Sequence, residues 1–369
     1  MKRNSKMFLF IVMLLLTGSS CFLMTSCQKD YDGQLEIIRN QLKAGENSYT
    51  ELKEQITSLE ERVTTIEKQI EDLQNGNNGG GCDVDCEAQL KELREALETA
   101  NKADVIIAAL GESSEMSGES SSRTDLNLPD VQQTLLKELV ATGKPVVLVL
   151  FTGRPLILNW EQDNVPAILN VWFGGSEAAY AIGDVLFGRV NPSGKLTMSF
   201  PQNVGQIPLY YAHKNTGRPL HDGKWFEKFR SNYLDVTNDP LYPFGFGLSY
   251  TTFAYSDISL SQSSMDMQGM ITASVDVSNT GLLPGGEVVQ LYIRDLVGST
   301  TRPVKELKGF ERIYLQPGQT RTVTFKIAPE MLKFYDYDLQ YVIEPGDFQV
   351  MIGSNSRDVK TAAFTVTSR

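Results

Sequence analysis

Ala103-Asp-Val-Ile-Ile-Ala-Ala-Leu110 runs directly into Gly111-Glu-Ser-Ser-Glu-Met-Ser-Gly-Glu119-Ser-Ser-Ser-Arg123-Thr-Asp125. The first part is a short unbroken apolar run, as a strand buried on both faces requires; the second is an acidic Ser/Gly loop. A helix is predicted from Pro129, with proline favourable at its first position, and runs through Leu135, Leu136, Leu139 and Val140 to Gly143. Val146 to Phe151 reads as a second buried strand, closing on Thr152-Gly153-Arg154-Pro155, and Ala167 to Trp172 as a third. Gly174-Gly175 then leads into a helix from Ser176 to Phe187. Strands alternating with helices predict a mostly parallel sheet, and in such sheets ligands gather at the carboxyl ends of the strands. The loop carrying Glu112, Glu115, Glu119 and Asp125 sits at such an end, with enough carboxylate to supply one half of a glycosidase pair.

N-terminal to this unit, apolar residues step by alternate threes and fours. Leu35, Leu42, Tyr49, Ile56, Val63 and Ile70 fill position a, and Ile38, Gly45, Leu52, Leu59, Ile66 and Leu73 fill position d. This sustained narrow stripe predicts an α-helical coiled coil over 28–75, and hence a homo-oligomer. β-Branched residues at a with Leu at d lean towards a parallel dimer, while Ile38 and Ile66 at d keep a trimer open. Gly45 is its weak point, since glycine costs ~1 kcal/mol against alanine in a helix. A Gly/Asn linker with a cysteine pair follows over 76–87. Cys82 and Cys86 either join to each other or staple neighbouring chains, and the sequence does not choose. Leu90, Leu93 and Leu97 mark a short amphipathic helix up to Lys102.

At the start, Lys2, Arg3 and Lys6 precede an apolar run from Met7 to Leu16. That run is too short to cross ~30 Å of hydrocarbon, which needs ~20 residues, and fits the apolar core of an export signal over 1–27. Leu23-Met-Thr-Ser-Cys27 resembles the box of a bacterial lipoprotein, in which Cys27 becomes the lipidated first residue; Cys21 competes but lacks the opening apolar residue. The implied location is an exported chain, lipid-anchored to the outer membrane on its periplasmic or outer face.

After Tyr255 the pattern becomes short alternating runs separated by turns. Ile271–Val277, Val288–Ile293, Val304–Phe310, Thr320–Ile327, Tyr341–Ile343, Phe348–Ile352 and Ala362–Val366 supply about seven strands without helices, as in a fibronectin type III-like or immunoglobulin-like sandwich over 256–369. Phe334, Tyr335, Tyr337 and Tyr341 are expected in core and edge packing, with stacking on sugar rings as the lesser reading.

Composition narrows the function. The chain has 369 residues, 41% hydrophobic and 21% charged, with Lys+Arg of 34 against Asp+Glu of 45. A net charge of −11 with no basic stripe sets nucleic acid aside. Four scattered cysteines and two histidines offer no metal centre, and no cofactor is implied.

From about Ala103 to the C-terminus the chain resembles glycoside hydrolase family 3, and within it the periplasmic β-glucosidases. The matching runs include Gly111-Glu112, Ser117-Gly118-Glu119, Arg123-Thr124-Asp125 and Gly153-Arg154-Pro155. Further along come Trp172-Phe-Gly-Gly175, Asn191-Pro-Ser-Gly-Lys-Leu196 and Tyr242-Pro-Phe-Gly-Phe-Gly-Leu-Ser-Tyr-Thr251, in the family's order. The resemblance implies an α/β sandwich over 88–255, a β-linked oligosaccharide or glucoside as substrate, and Glu119 as general acid/base. Such a carboxyl, held partly dry, protonates the leaving oxygen and then deprotonates water. Glu112 and Glu115 compete for that role on spacing alone; Arg123 and Glu112 are expected to orient the loop or touch substrate.

Family members are retaining enzymes whose nucleophilic aspartate, about 5 Å from the acid/base, belongs to a preceding (β/α)8 barrel of ~250 residues. Residues 28–102 read as coiled coil, linker and helix, so no nucleophile is assigned and negligible turnover is expected of this chain alone. The opening units of the sandwich are also unassigned, which predicts an uncovered sheet edge. The competing reading is a non-catalytic oligomeric surface lipoprotein for carbohydrate binding or scaffolding.

Overall fold

A computed structural model of the chain describes residues 10–13, 86–220 and 224–368. The heptads, Cys21, Cys27, Cys82 and the Gly/Asn linker lie outside the described residues. Residues 1–14 and 97–369 form one compact unit and 15–96 another.

A four-stranded parallel sheet in the order β1-β2-β3-β4 organises the first half of the larger unit. Its strands are β1 (Phe10–Met13), β2 (Ile106–Gly111), β3 (Val146–Phe151) and β4 (Ala167–Asn170). Helix α1 (Cys86–Asn101) precedes β2, α2 (Asp130–Ala141) joins β2 to β3, α3 (Asn159–Asn164) joins β3 to β4, and α4 (Ala178–Leu186) follows. The predicted strand–helix alternation is therefore realised, with β3 matching its apolar run residue for residue. Leu136, Leu139, Leu148 and Leu150 are fully buried between α2 and the sheet. The predicted third strand stops short of Trp172, which has a positive φ of 48° where the chain turns out of the sheet.

The edge of β2 is not bare among the described residues. Phe10 to Met13 pair in parallel with Ile106 to Ala109. These are residues of the apolar run expected to serve as the export signal's core, so strand and removable signal describe different forms of the chain.

The second half is a β-sandwich. One sheet has the order β10-β9-β14-β15-β7 and the other β11-β8-β5, with β6 also on β8. The elements are β5 (Phe253–Tyr255), β6 (Ser259–Leu260), β7 (Ser264–Asp266), β8 (Ile271–Asn279), β9 (Gly285–Asp295), β10 (Glu306–Leu315), β11 (Thr320–Ile327), β14 (Gly346–Gly353) and β15 (Val359–Thr367). Strand β8 alternates buried and less buried residues along its length, the signature of one face on a core. Val275, Leu291, Val323, Phe348 and Phe364 meet in that core. A short helix α5 (Pro329–Leu332) and a separate hairpin of β12 (Phe334–Tyr335) and β13 (Tyr341–Val342) interrupt the all-strand expectation.

β9 is buried on both faces because residues preceding the sandwich cover its outer side. Gln290 Nε2 donates to the Gly245 carbonyl at 3.1 Å, and the Tyr292 ring meets Tyr211 edge-on at 5.9 Å. Asn191 accepts from Ser249 Oγ and Tyr250 N, both at 2.8 Å, and donates to the Pro284 carbonyl at 2.9 Å. The Asn191–Leu196 and Tyr242–Thr251 motifs thus clasp the two halves together.

Candidate active site

The acidic loop begins where β2 and β3 end side by side. A Cβ on Gly111 would stand 1.8 Å from the Phe151 carbonyl oxygen, so only glycine fits this approach. Gln132 of α2 closes the strand end, accepting from Gly111 N at 2.7 Å and donating to its carbonyl at 2.9 Å.

Glu112, the next residue, has no exposed side-chain surface. Its Oε1 lies 3.0 Å from Arg123 Nη1 and 2.9 Å from Arg154 Nε. Its Oε2 lies 3.0 Å from the Thr152 hydroxyl and accepts from Gly153 N at 3.1 Å. A carboxylate so enclosed by two guanidiniums satisfies the rule that buried charges are paired and hydrogen-bonded. Both oxygens face inward to protein donors. The geometry fits orientation of the loop rather than contact with a substrate.

Arg154 extends that anchor. Its Nη2 donates to the Met116 carbonyl and, at 2.8 Å, to the Ser121 carbonyl. These two residues bracket Ser117-Gly118-Glu119-Ser120. Within the bracket, Ser121 N donates to Gly118 O at 3.3 Å and Ser120 has φ 64°, a turn with a left-handed third residue. Glu119 stands at the exposed corner of this turn. The loop packs closely on its anchor, for a Cβ on Gly153 would meet Ser117 Oγ at 1.8 Å and the Phe173 ring at 2.7 Å.

The three competing glutamates are now distinguished by position. Glu112 is buried in ion pairs, Glu115 is exposed with Ser114 Oγ at 3.3 Å from Oε1, and Glu119 is presented on a turn held at both ends. Arg123, expected to orient the loop or touch substrate, is paired with a fully buried carboxylate. Asp125 binds within the loop, accepting from Asn127 N at 3.0 Å. Thr152, Gly153 and Arg154 carry no predicted role; the available signal is a Gly-Arg-Pro turn directly after the end of a buried strand.

The surface beside this loop is apolar. Phe173 is 75% exposed, and α4, of sequence Ala-Ala-Tyr-Ala-Ile-Gly-Asp-Val-Leu, buries none of its residues among the described part of the chain. An apolar helix of this kind ordinarily lies against protein.

Comparison with known proteins agrees with this architecture. Residues 26–250 match the model of the glycosyl hydrolase family 3 C-terminal domain. The chain belongs to glycoside hydrolase family 3. Residues 287–356 match the fibronectin type III-like domain that forms the second half of the sandwich-bearing unit. Similar family 3 proteins include a periplasmic β-glucosidase of Salmonella typhimurium, 51% identical over 281 residues, covering 76% of this chain and 37% of the relative. A β-xylosidase of Formosa agariphila is 44% identical over 292 residues, covering 79% of this chain and 39% of the relative. A solved mutant β-glucosidase from Listeria innocua in complex with laminaribiose superposes with a TM-score of 0.71 at 39% identity, over 79% of this chain and 40% of that one. The chain thus spans well under half the length of the family 3 relatives it matches.

Proposed function

We propose that this chain carries the acid/base half of a retaining β-glycosidase of the β-glucosidase type, with Glu119 as general acid/base. The observation that carries the reading is the two-ended clamp by Arg154, which presents Glu119 outward from the carboxyl end of the parallel sheet. In the first step a nucleophilic carboxylate attacks the anomeric carbon while the Glu119 proton passes to the departing glycosidic oxygen. In the second step Glu119 takes a proton from water as the water displaces the enzyme carboxylate from that carbon.

In this reading the nucleophilic carboxylate is supplied by a domain other than the two described here. The exposed Phe173, whose ring lies with Ser117 against Gly153, and the apolar α4 that follows it support this reading, being surface that a covering domain would bury. Such a cover would also keep bulk solvent from Glu119 while leaving room for the one water that the second step consumes. The substrate is a β-linked glucoside or oligosaccharide. Export with lipidation on Cys27, and association through the heptads of 28–75, complete the proposal; the periplasmic relative supports export.

The test joins residues 97–369 to the part of the Salmonella relative that lies outside the match. This chimera should hydrolyse an aryl β-glucoside, and Glu119→Gln should lower kcat by roughly 10²–10⁴-fold. Full activity in that variant would remove Glu119 from the mechanism, and turnover by the chain alone would remove the need for an outside nucleophile.

A further inference from the structure

The sequence placed Phe334, Tyr335, Tyr337 and Tyr341 in core and edge packing. The structure corrects this for three of the four. Phe334 is buried, but Tyr335, Tyr337 and Tyr341 are 64%, 82% and 49% exposed. They stand on the hairpin of β12 and β13, outside both sheets of the sandwich.

The hairpin is built as a rigid support. Phe334 is buried at its base, with the Arg302 guanidinium 4.3 Å above its ring. At the tip, Asp336 Oδ1 accepts from Asp338 N and Gln340 N, both at 2.9 Å, and Asp336 N donates to Gln340 O at 3.0 Å. Tyr335 and Tyr341 are cross-strand partners, their ring centroids 5.0 Å apart and their planes inclined by 40°. Lys333 Nζ lies 5.8 Å from the Tyr341 ring and 2.6 Å from Glu330 Oε1. The result is an adjoining pair of exposed rings with a third at the turn, edged by ammonium, amide and carboxylate groups.

We propose that this hairpin is a carbohydrate-binding platform for a neutral β-linked gluco-oligosaccharide, separate from the Glu119 loop. Three properties select that ligand. Flat rings exposed in water at fixed positions match the C–H faces of β-linked pyranoses, whose hydroxyls point outward in the ring plane. Lys333, Asp338 and Gln340 at the margin supply donors and acceptors for those hydroxyls, the pattern of apolar base and few polar groups that binds small ligands. The chain's net charge of −11, with Glu330, Asp336 and Asp338 around the rings, disfavours a polyanion. Ordering of the rings by the hairpin lowers the entropy lost on binding. The proposal does not rest on turnover; a chain without hydrolytic activity would still bind here.

Native-gel affinity electrophoresis of the full chain in laminarin, a soluble β-glucan, tests it directly. Wild type should be retarded by laminarin and not by polygalacturonate. Tyr335→Ala and Tyr341→Ala should each weaken binding by about tenfold, as loss of an anchoring aromatic does, with unchanged thermal midpoints because the rings bury little. Glu119→Gln and Tyr180→Ala should be retarded like wild type. Absence of retardation in the wild type would overturn the proposal, as would equal retardation of the two platform variants. Retardation lost in Glu119→Gln but kept in the platform variants would overturn it too, placing the glycan at the catalytic loop. If the tyrosine variants altered only self-association, seen by light scattering, the platform would be a contact between copies and the proposal would fall.

Discussion

Arg154 Nε lies 2.9 Å from Oε1 of Glu112, a carboxylate with no exposed side-chain surface. One guanidinium thereby joins the strand end to both edges of the Glu119 turn. Removing it strands a buried charge with Arg123 as its remaining cation, and frees the Met116 and Ser121 carbonyls. Arg154→Met should therefore destabilise the chain by about 3 kcal/mol, the lower end for breaking a buried pair because Arg123 stays. Urea unfolding gives that figure. Hydrogen exchange should quicken at residues 116–121 in the same variant. Arg154→Lys should recover little, since an ammonium cannot reach a carboxylate and two carbonyls in one plane.

A second buried pair clasps the two halves of the larger unit. Lys195 Nζ lies 3.0 Å from Glu287 Oε2 and 2.9 Å from the Gly247 carbonyl, while the Tyr255 hydroxyl donates to Glu287 Oε1 at 2.8 Å. Burial and the Glu287 charge push the Tyr255 phenol upward, so it remains a donor throughout the working range. Lys195→Met leaves Glu287 uncompensated and should cost about 3–5 kcal/mol. Adding Glu287→Gln removes the orphan charge but keeps an acceptor for Tyr255, and should restore most of the loss. Calorimetry of the two variants checks both; equal midpoints would show that the pair does not hold the clasp.

The parallel sheet was legible because β2 and β3 are continuous apolar runs bounded by turn residues. The sandwich was legible in Ile271–Val277, where alternation has the strand's own period. What escaped was long-range. Glu112 and Arg154 are 42 positions apart in the sequence, and only the parallel pairing of Gly111 with Phe151 brings them together. Local composition could not separate an anchored Glu112 from an exposed Glu119, because burial is decided by what packs from elsewhere. The tyrosines of β12 and β13 failed for a related reason: aromatic content signals a core only where a second layer faces it, and this hairpin stands outside the sheets.

Strand β1 gives a test of export. Cleavage before Cys27 removes Phe10–Met13 and leaves the outer edge of β2 without its parallel partner. Intact mass of the chain recovered from membranes should then show an N-terminus at Cys27 carrying lipid. The chain begun after Cys27 should exchange faster at the β2 edge than the uncleaved chain, since an unpaired edge opens to water. An unprocessed Met1 in the membrane fraction would assign Phe10–Met13 permanently to the sheet. Light scattering of the same soluble chain should give two or three times the monomer mass if the heptads pair.

Glu161 makes the pH dependence specific. It is 2% exposed on α3, and its Oε1 has no hydrogen-bond partner. Burial raises its carboxyl above the usual carboxylate range, opposed in smaller part by its own backbone, Gln133 and Lys137. Its charge, with that of Asp163, adds to burial in pushing Tyr242 up to about 12. A folded-state value above the unfolded one means that the protonated acid favours the fold. That advantage is complete below the unfolded value, ~4.3, and is lost as pH rises through the folded value. Wild type should therefore lose stability across that window while Glu161→Gln does not, leaving the variant more stable at neutral pH by on the order of 1 kcal/mol, the scale of an unsatisfied buried acceptor. Urea midpoints measured from pH 4 to 8 decide it: parallel curves for the two proteins would mean that Glu161 finds a full complement of partners in the fold.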